Sequence, residues 1–217
     1  MSDAIEYELK GDIAVLRANN PPVNALGIAV RTGLVAGMDR AEKEARAVLI
    51  VGAGRTFFAG ADIKEFGKPI KHPILPDICT RIENSVLPVV SAIHGTALGG
   101  GLEVALGTHY RIAVPSAKVG LPEVNLGLIP GAGGTQRLPR LVGADTAIEI
   151  ITSGRSIGAA EALELGVLDQ VEEGDIEEIG LAYTRHLLDE GKGPRPVGQL
   201  PCAAPTDFDA AFDAAMK

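Results

Sequence analysis

Asn84 to Gly107 reads NSVLPVVSAIHGTALGGGLEVALG, and its opening 19 residues, through Leu102, carry no Asp, Glu, Lys or Arg. Pro88, His94 and four glycines, with Glu103 following at once, count against a membrane span. The better reading is a strand over Val89–Ile93, a glycine turn, and a buried helix running out of the glycines through Leu102–Leu106. A strand apolar on both faces belongs inside a layered α/β fold. The flanking sequence agrees. Asp12–Ala18 (DIAVLRA) alternates as a strand and stops at Asn19-Asn20-Pro21-Pro22. Ile28, Leu34, Val35, Met38 and Ala41 fall near helical spacing within Gly27–Ala45. Ala47–Val51 (AVLIV) and Tyr110–Val114 (YRIAV) are further core strands. Helices are expected over Ala144–Thr152, Ala159–Leu165 and Ile176–Leu188, with a strand-like run at Val167–Val171.

Composition bounds the function. The chain has 217 residues, enough for one sizeable core, and a net charge of −8. Neither nucleic acid nor a membrane is expected as a partner, because the first needs a basic patch and the second an apolar span. An anionic ligand would need a local site such as a helix N-terminus. Cys79 and Cys202 lie far apart with no CxxC, so both are read as reduced thiols in a cytoplasmic protein. The start lacks a signal core, and the final DAAMK is not a peroxisomal address. Gly191–Thr206 holds four prolines and reads as an extended linker. Beyond it, Asp207–Met216 starts a short amphipathic helix with Phe208 and Phe212 on one face. The organisation expected is therefore a domain over residues 1–190, then a linker and a truncated-looking helix over 191–217.

Metal chemistry is not indicated, since His72, His94, His109 and His186 are dispersed. No GxSxG elbow marks a serine nucleophile. Gly52-Ala-Gly54 follows a strand but lacks the third glycine of a dinucleotide site, so a plain turn competes with NAD binding. Three stretches are richer. In Thr56–Phe66 (TFFAGADIKEF) small residues let a ligand approach the main chain, and DIKEF could open a helix. In Gly95–Gly107 three glycines precede a helix whose free N–H groups would face an anion, and Glu103 stands alone among apolar residues. In Gly120–Gly143 (GLPEVNLGLIPGAGGTQRLPRLVG) Glu123 is likewise isolated. Burial would raise both carboxyl pKa values toward acid–base use. The competing readings are a solvated helix-face Glu and a surface-loop Glu. Together the stretches suggest acid–base chemistry on a substrate whose oxyanion is held by backbone N–H groups.

These stretches, with PPVNAL (Pro21–Leu26) and GRSIGAAEALELGVLDQV (Gly154–Val171), resemble the crotonase, or enoyl-CoA hydratase/isomerase, superfamily. They are further similar to the N-terminal hydratase/isomerase domain of multifunctional fatty-acid β-oxidation proteins. The resemblance implies a spiral of ββα turns with flanking helices. It implies catalytic Glu103 and Glu123, an oxyanion hole from the N–H groups of Ala61 and Gly100, a water placed by Gly131, and a CoA path along Ala59, Ala61, Asp62 and Ile63. The reaction implied is hydration of 2-trans-enoyl-CoA to 3-hydroxyacyl-CoA, with 3-enoyl to 2-enoyl isomerisation as a second activity. The substrate is an acyl-CoA thioester, coenzyme A is part of it, and no separate cofactor is expected. A homotrimer and attachment to a dehydrogenase domain are the assemblies implied. Where the usual C-terminal helices are missing, a CoA-thioester-binding fragment with little activity is the alternative.

Overall fold

The computed structural model describes residues 4–205 together with Asp207, Asp209, Ala210 and Asp213. Phe208 and Phe212, expected on one face of a short helix, lie outside the described residues. The chain opens with a hairpin, β1 (Ile5–Lys10) and β2 (Ile13–Ala18), paired antiparallel from Ile5↔Ala18 to Lys10↔Ile13. Helix α1 (Ile28–Glu44) leads to β3 (Ala47–Gly52), then α2 (Leu75–Glu83) to β4 (Val89–Ile93). Short β5 (Thr96–Leu98), α3 (Gly100–Gly107), β6 (Tyr110–Ala113) and β7 (Lys118–Gly120) follow. The remainder is α4 (Gly134–Val142), α5 (Ala144–Ser153), β8 (Ser156–Gly158), α6 (Ala159–Glu164), β9 (Gln170–Val171) and α7 (Ile176–Asp189).

Among the described residues, one sheet has the order β1-β2-β3-β4-β6-β9, parallel from β2 onward, and a smaller one the order β5-β7-β8. The apolar runs are explained by their two covered faces. Ala14, Leu16, Val48 and Ile50 join the core with residues of α1, α2 and α3, while Val15, Leu49, Val90 and Ile112 pack with Ile179 and Leu187 of α7. Each Val, Leu or Ile side chain among these withdrawn from water contributes about 1.5–3 kcal/mol before the entropy of ordering it is counted.

The spiral shows in how successive passages repeat. The chain runs through β4 in the large sheet, β5 in the small one, and into α3. One turn earlier it runs through β3 and then Phe58, which bridges Ala97 of β5 in parallel. One turn later it runs through β6 and then β7, whose Val119 lies opposite Ala97 on the other side. Phe58, Ala97 and Val119 thus stack as three rungs, and the loop following each rung emerges in the same region.

Several expectations need correction. DIKEF does not open an α-helix; Ile63–Glu65 is a single 3-10 turn that Asp62 caps by accepting the Lys64 N–H at 3.0 Å. The last core strand shrinks to Gln170–Val171. The Pro-rich stretch is not merely extended: Val197–Gln199 forms a 3-10 turn, Val197 is fully buried, and Tyr110 donates to the Gly193 carbonyl. No helix among the described residues is long and apolar enough to cross a membrane.

Candidate active site

The entry to α3 is built on backbone that only glycine suits. Gly99 has φ 53°, in the region L side chains avoid, and a Cβ on Gly101 would collide with the Phe58 carbonyl. With no side chains between them, the head of α3 and the Phe58–Ala61 segment lie against each other. A Cβ placed on Gly100 would stand 3.4 Å from the Ala61 backbone nitrogen. Neither the Ala61 nor the Gly100 N–H donates a hydrogen bond among the described residues. The Gly100 group is one of the first-turn donors that a helix leaves free.

Both amides border a cavity of about 190 Å³. Ala59, Ile63, Phe66, Leu126 and Leu128 supply its apolar wall, and Glu123 its carboxylate. Glu123 sits on a 3-10 turn, Pro122–Leu126, ended by Gly127 in the left-handed conformation at φ 69°. Its Oε2 is buried without a hydrogen-bond partner. Burial pushes this carboxyl up to about 7; its own backbone N–H opposes the shift, and the Glu103 charge adds to it. Glu103, 2% exposed, lies one turn into α3. Its Oε1 accepts the N–H groups of Ala132 (2.6 Å) and Gly134 (2.9 Å), where the chain enters α4. Burial raises its pKa as well, but these two donors and the Arg137 charge hold it back.

The structure therefore brings Ala59, Ala61, Ile63, Gly100 and Glu123 around one cavity, with Glu103 close enough to act on Glu123 electrostatically. Two residues sit apart. Gly131 is exposed and borders a separate cavity of about 240 Å³. Asp62 faces an adjoining groove of about 340 Å³, reached past Ala61 and Phe66. That groove contains residues sequence reasoning missed: Lys64, Lys68 and Lys71 line it, with Arg31 paired to Glu65 at its base. Three lysines within eight residues of an acidic chain were the available signal.

Residues 8–193 match the family described as enoyl-CoA hydratase/isomerase. The chain belongs to the enoyl-CoA hydratase/isomerase family. The peroxisomal bifunctional enzyme of Danio rerio is 46% identical over 212 residues, covering 96% of this chain. The match takes in 30% of that enzyme, so the chain spans less than a third of its length. A Bacillus subtilis (strain 168) protein named "Probable enoyl-CoA hydratase" is 42% identical over 91% of this chain and 80% of its own. The crystal structure of an enoyl-CoA hydratase from Bacillus anthracis superposes with a TM-score of 0.79 at 35% identity, covering 86% of this chain and 77% of that one. For a member of the enoyl-CoA hydratase/isomerase family, the α/β spiral expected from the sequence is the fold observed. The dinucleotide reading of Gly52-Ala-Gly54 lapses with it: Gly52 ends β3, and Gly54, at φ 73°, forms a turn.

Proposed function

We propose that the chain hydrates 2-trans-enoyl-CoA thioesters to 3-hydroxyacyl-CoA, as a step of fatty-acid β-oxidation. The observation that carries this reading is the joint placement of two free amides and a half-buried carboxyl around one cavity, with a second carboxyl behind it. The thioester carbonyl accepts the Ala61 and Gly100 N–H groups. Water attacks the β-carbon while Glu103 takes its proton. The π electrons move onto the carbonyl oxygen as an enolate, and Glu123 returns a proton to the α-carbon. Water and alkene are consumed and one C–O and one C–H bond are made, so no cofactor is required. Donors aimed at the developing oxyanion are worth about 2.7–4 kcal/mol each in comparable sites.

The unequal carboxyl environments support the division of labour, because an acid and a base at one pH need pKa values pushed apart. A carboxyl at about 7 is substantially protonated at neutral pH and suits the donor. Gly131 lies one residue before the Ala132 donor, and its amide is the proposed third contact to the water. Ala59, Ala61, Asp62 and Ile63 form the path for the CoA arm, and the Lys64–Lys68–Lys71 groove supports an anionic end there. That groove is the local cationic site an acidic chain needs for a phosphorylated ligand. The proton shuttle of Glu123 also permits a 3-enoyl double bond to move to the 2-position. The named bifunctional relatives support attachment of this unit to a longer protein.

A spectrophotometric hydration assay with crotonyl-CoA and a longer-chain enoyl-CoA tests the reading. Turnover of either substrate supports it. Saturable binding of the thioester with no loss of the enoyl absorbance would replace it with a binding-only role.

A further inference from the structure

Beyond the two carboxyls, the structure holds a buried ion pair on the far side of the loop that grips Glu103. Arg137, 7% exposed, spends its whole fork. Its Nε and one terminal nitrogen donate to the two oxygens of Glu83 at 3.1 and 2.7 Å. The other terminal nitrogen donates to the Ala132 carbonyl at 3.0 Å. Ala132 is the residue whose N–H reaches Glu103 at 2.6 Å. One residue is thus held from its carbonyl by Arg137 and from its amide by Glu103. Gly133, at φ 102°, makes room: a Cβ there would collide with the guanidinium. Glu83 is itself seated from outside, accepting the Gly198 N–H at 2.6 Å. A Cβ on Gly198 would lie 2.9 and 3.1 Å from the Glu83 oxygens. Val197, fully buried, anchors this segment. The 240 Å³ cavity bordered by Gly131, Ala132 and Gly133 is also lined by Glu83, Arg137 and Gly198.

We infer that Arg137 and Glu83 are positioning residues for Glu103, and that the Val197–Gln199 turn, through Gly198, seats the pair from the segment leaving the folded body. Its kinetic consequence rests on the hydratase reading; its geometric consequence does not. The titratable groups acting on or beside Glu103 are Cys79 and Glu83 of α2, Arg137 of α4, and Glu123 of the 3-10 turn. Of these, Arg137 is the only cation. Losing it raises the Glu103 midpoint, so the ionised base appears only at higher pH.

The test compares Arg137→Met, Arg137→Lys, Glu83→Gln and Gly198→Ala with the parent chain. The readouts are crotonyl-CoA kinetics across pH, and the Ala132 and Gly134 amide proton resonances titrated without ligand. For Arg137→Met the expected result is a kcat lower by roughly 10- to 100-fold, the scale of a small misplacement of a reacting group. KM stays within about two-fold, and the acid limb moves up. Arg137→Lys keeps the cation, so its acid limb returns toward the parent's while kcat stays low for want of the fork. Glu83→Gln and Gly198→Ala lower kcat in the same sense and move the two amide resonances. If Arg137→Met does not fold, these two variants at the outer end decide. Parent-like kcat together with superimposable Ala132 and Gly134 resonances in Glu83→Gln and Gly198→Ala would reduce the pair to a structural cross-tie. Should the parent chain hydrate nothing, the hydratase reading fails, and the amide resonances alone decide the positioning claim.

Discussion

Glu103 and Glu123 are the same residue in two unlike surroundings. Glu103 stands on a buried helix, nearly sealed from water, with two backbone donors on one oxygen and a guanidinium behind them. Glu123 stands on a one-turn element at the cavity wall, half-buried, with one oxygen hidden and unpartnered. Burial alone would neutralise both. The difference lies in what offsets it: donors and a cation hold Glu103 nearer its ionised form, while nothing comparable reaches Glu123. On the proposed mechanism the more enclosed carboxyl serves as the base and the more open one as the acid.

The largest expected effect comes from the feature the two carboxyls share, the head of α3. Gly100→Val places a β-branched side chain at the cavity border, its Cβ colliding with Leu75 and 3.4 Å from the Ala61 nitrogen. Turnover should fall by about 10²–10³-fold, the scale of a lost oxyanion donor, and thioester affinity should weaken with it. Steady-state kinetics and calorimetric titration of a saturated acyl-CoA check this. Normal hydration by folded variant protein would remove the amide pair from the site. Next is Glu123→Gln, which keeps shape and deletes the proton. A drop of at least about 10²-fold in kcat is expected, with thioester affinity kept. Near-parent turnover would show the two carboxyls are not divided as acid and base.

A third, smaller effect is the pH dependence. The proposed mechanism needs Glu123 protonated and Glu103 ionised, so it predicts a bell-shaped kcat/KM. Its basic limb should fall near pH 7, where Glu123 loses its proton. The amide equivalent, Glu123→Gln, should lose that limb along with most of its rate. The smallest effect is on stability, and its sign runs against function. The folded-state pKa of Glu123 is raised to about 7, above an ordinary carboxyl, so between pH 4.5 and 7 the folded chain binds more protons than the unfolded one. Stability therefore falls as pH rises through that window. At pH 8, Glu123→Gln should be more stable than the parent by about 1–2 kcal/mol, allowing for its partial contact with water. Toward pH 5 the gain should vanish. Urea unfolding at both pH values measures it, and an unchanged difference would mean that Glu123 is not forced neutral.

The contrast between the carboxyls was half legible in the sequence. Each announced itself as a lone charge in an apolar run, and the triple glycine before α3 marked a backbone approach. The core strands were legible because both faces of the large sheet are covered, which turns AVLIV and VVSAI into unbroken apolar runs. What offsets burial at Glu103 was not legible. Ala132 and Gly134 lie 29 and 31 residues away, and Arg137 meets Glu83 across 54 residues, so no local pattern links them. Strands β5, β7 and β8 have three residues each, too short to show alternation, although they stack the rungs that bring the loops together. The first strand, IEYELK, alternates apolar and charged residues strictly, so its period was legible although the first strand expected from the sequence began only at Asp12. DIKEF misled because Asp62 caps a turn as well as it caps a helix.

The most direct test of the central claim follows the proton that Glu123 is assigned to deliver. Crotonyl-CoA is incubated with the parent chain in D₂O, and the product is read by NMR and mass spectrometry. The account predicts 3-hydroxybutyryl-CoA carrying one deuterium at the α-carbon, formed at a rate that Glu123→Gln lowers by at least about 10²-fold. Crotonyl-CoA that binds saturably but is recovered unhydrated, or product formed equally fast by Glu123→Gln, would contradict it.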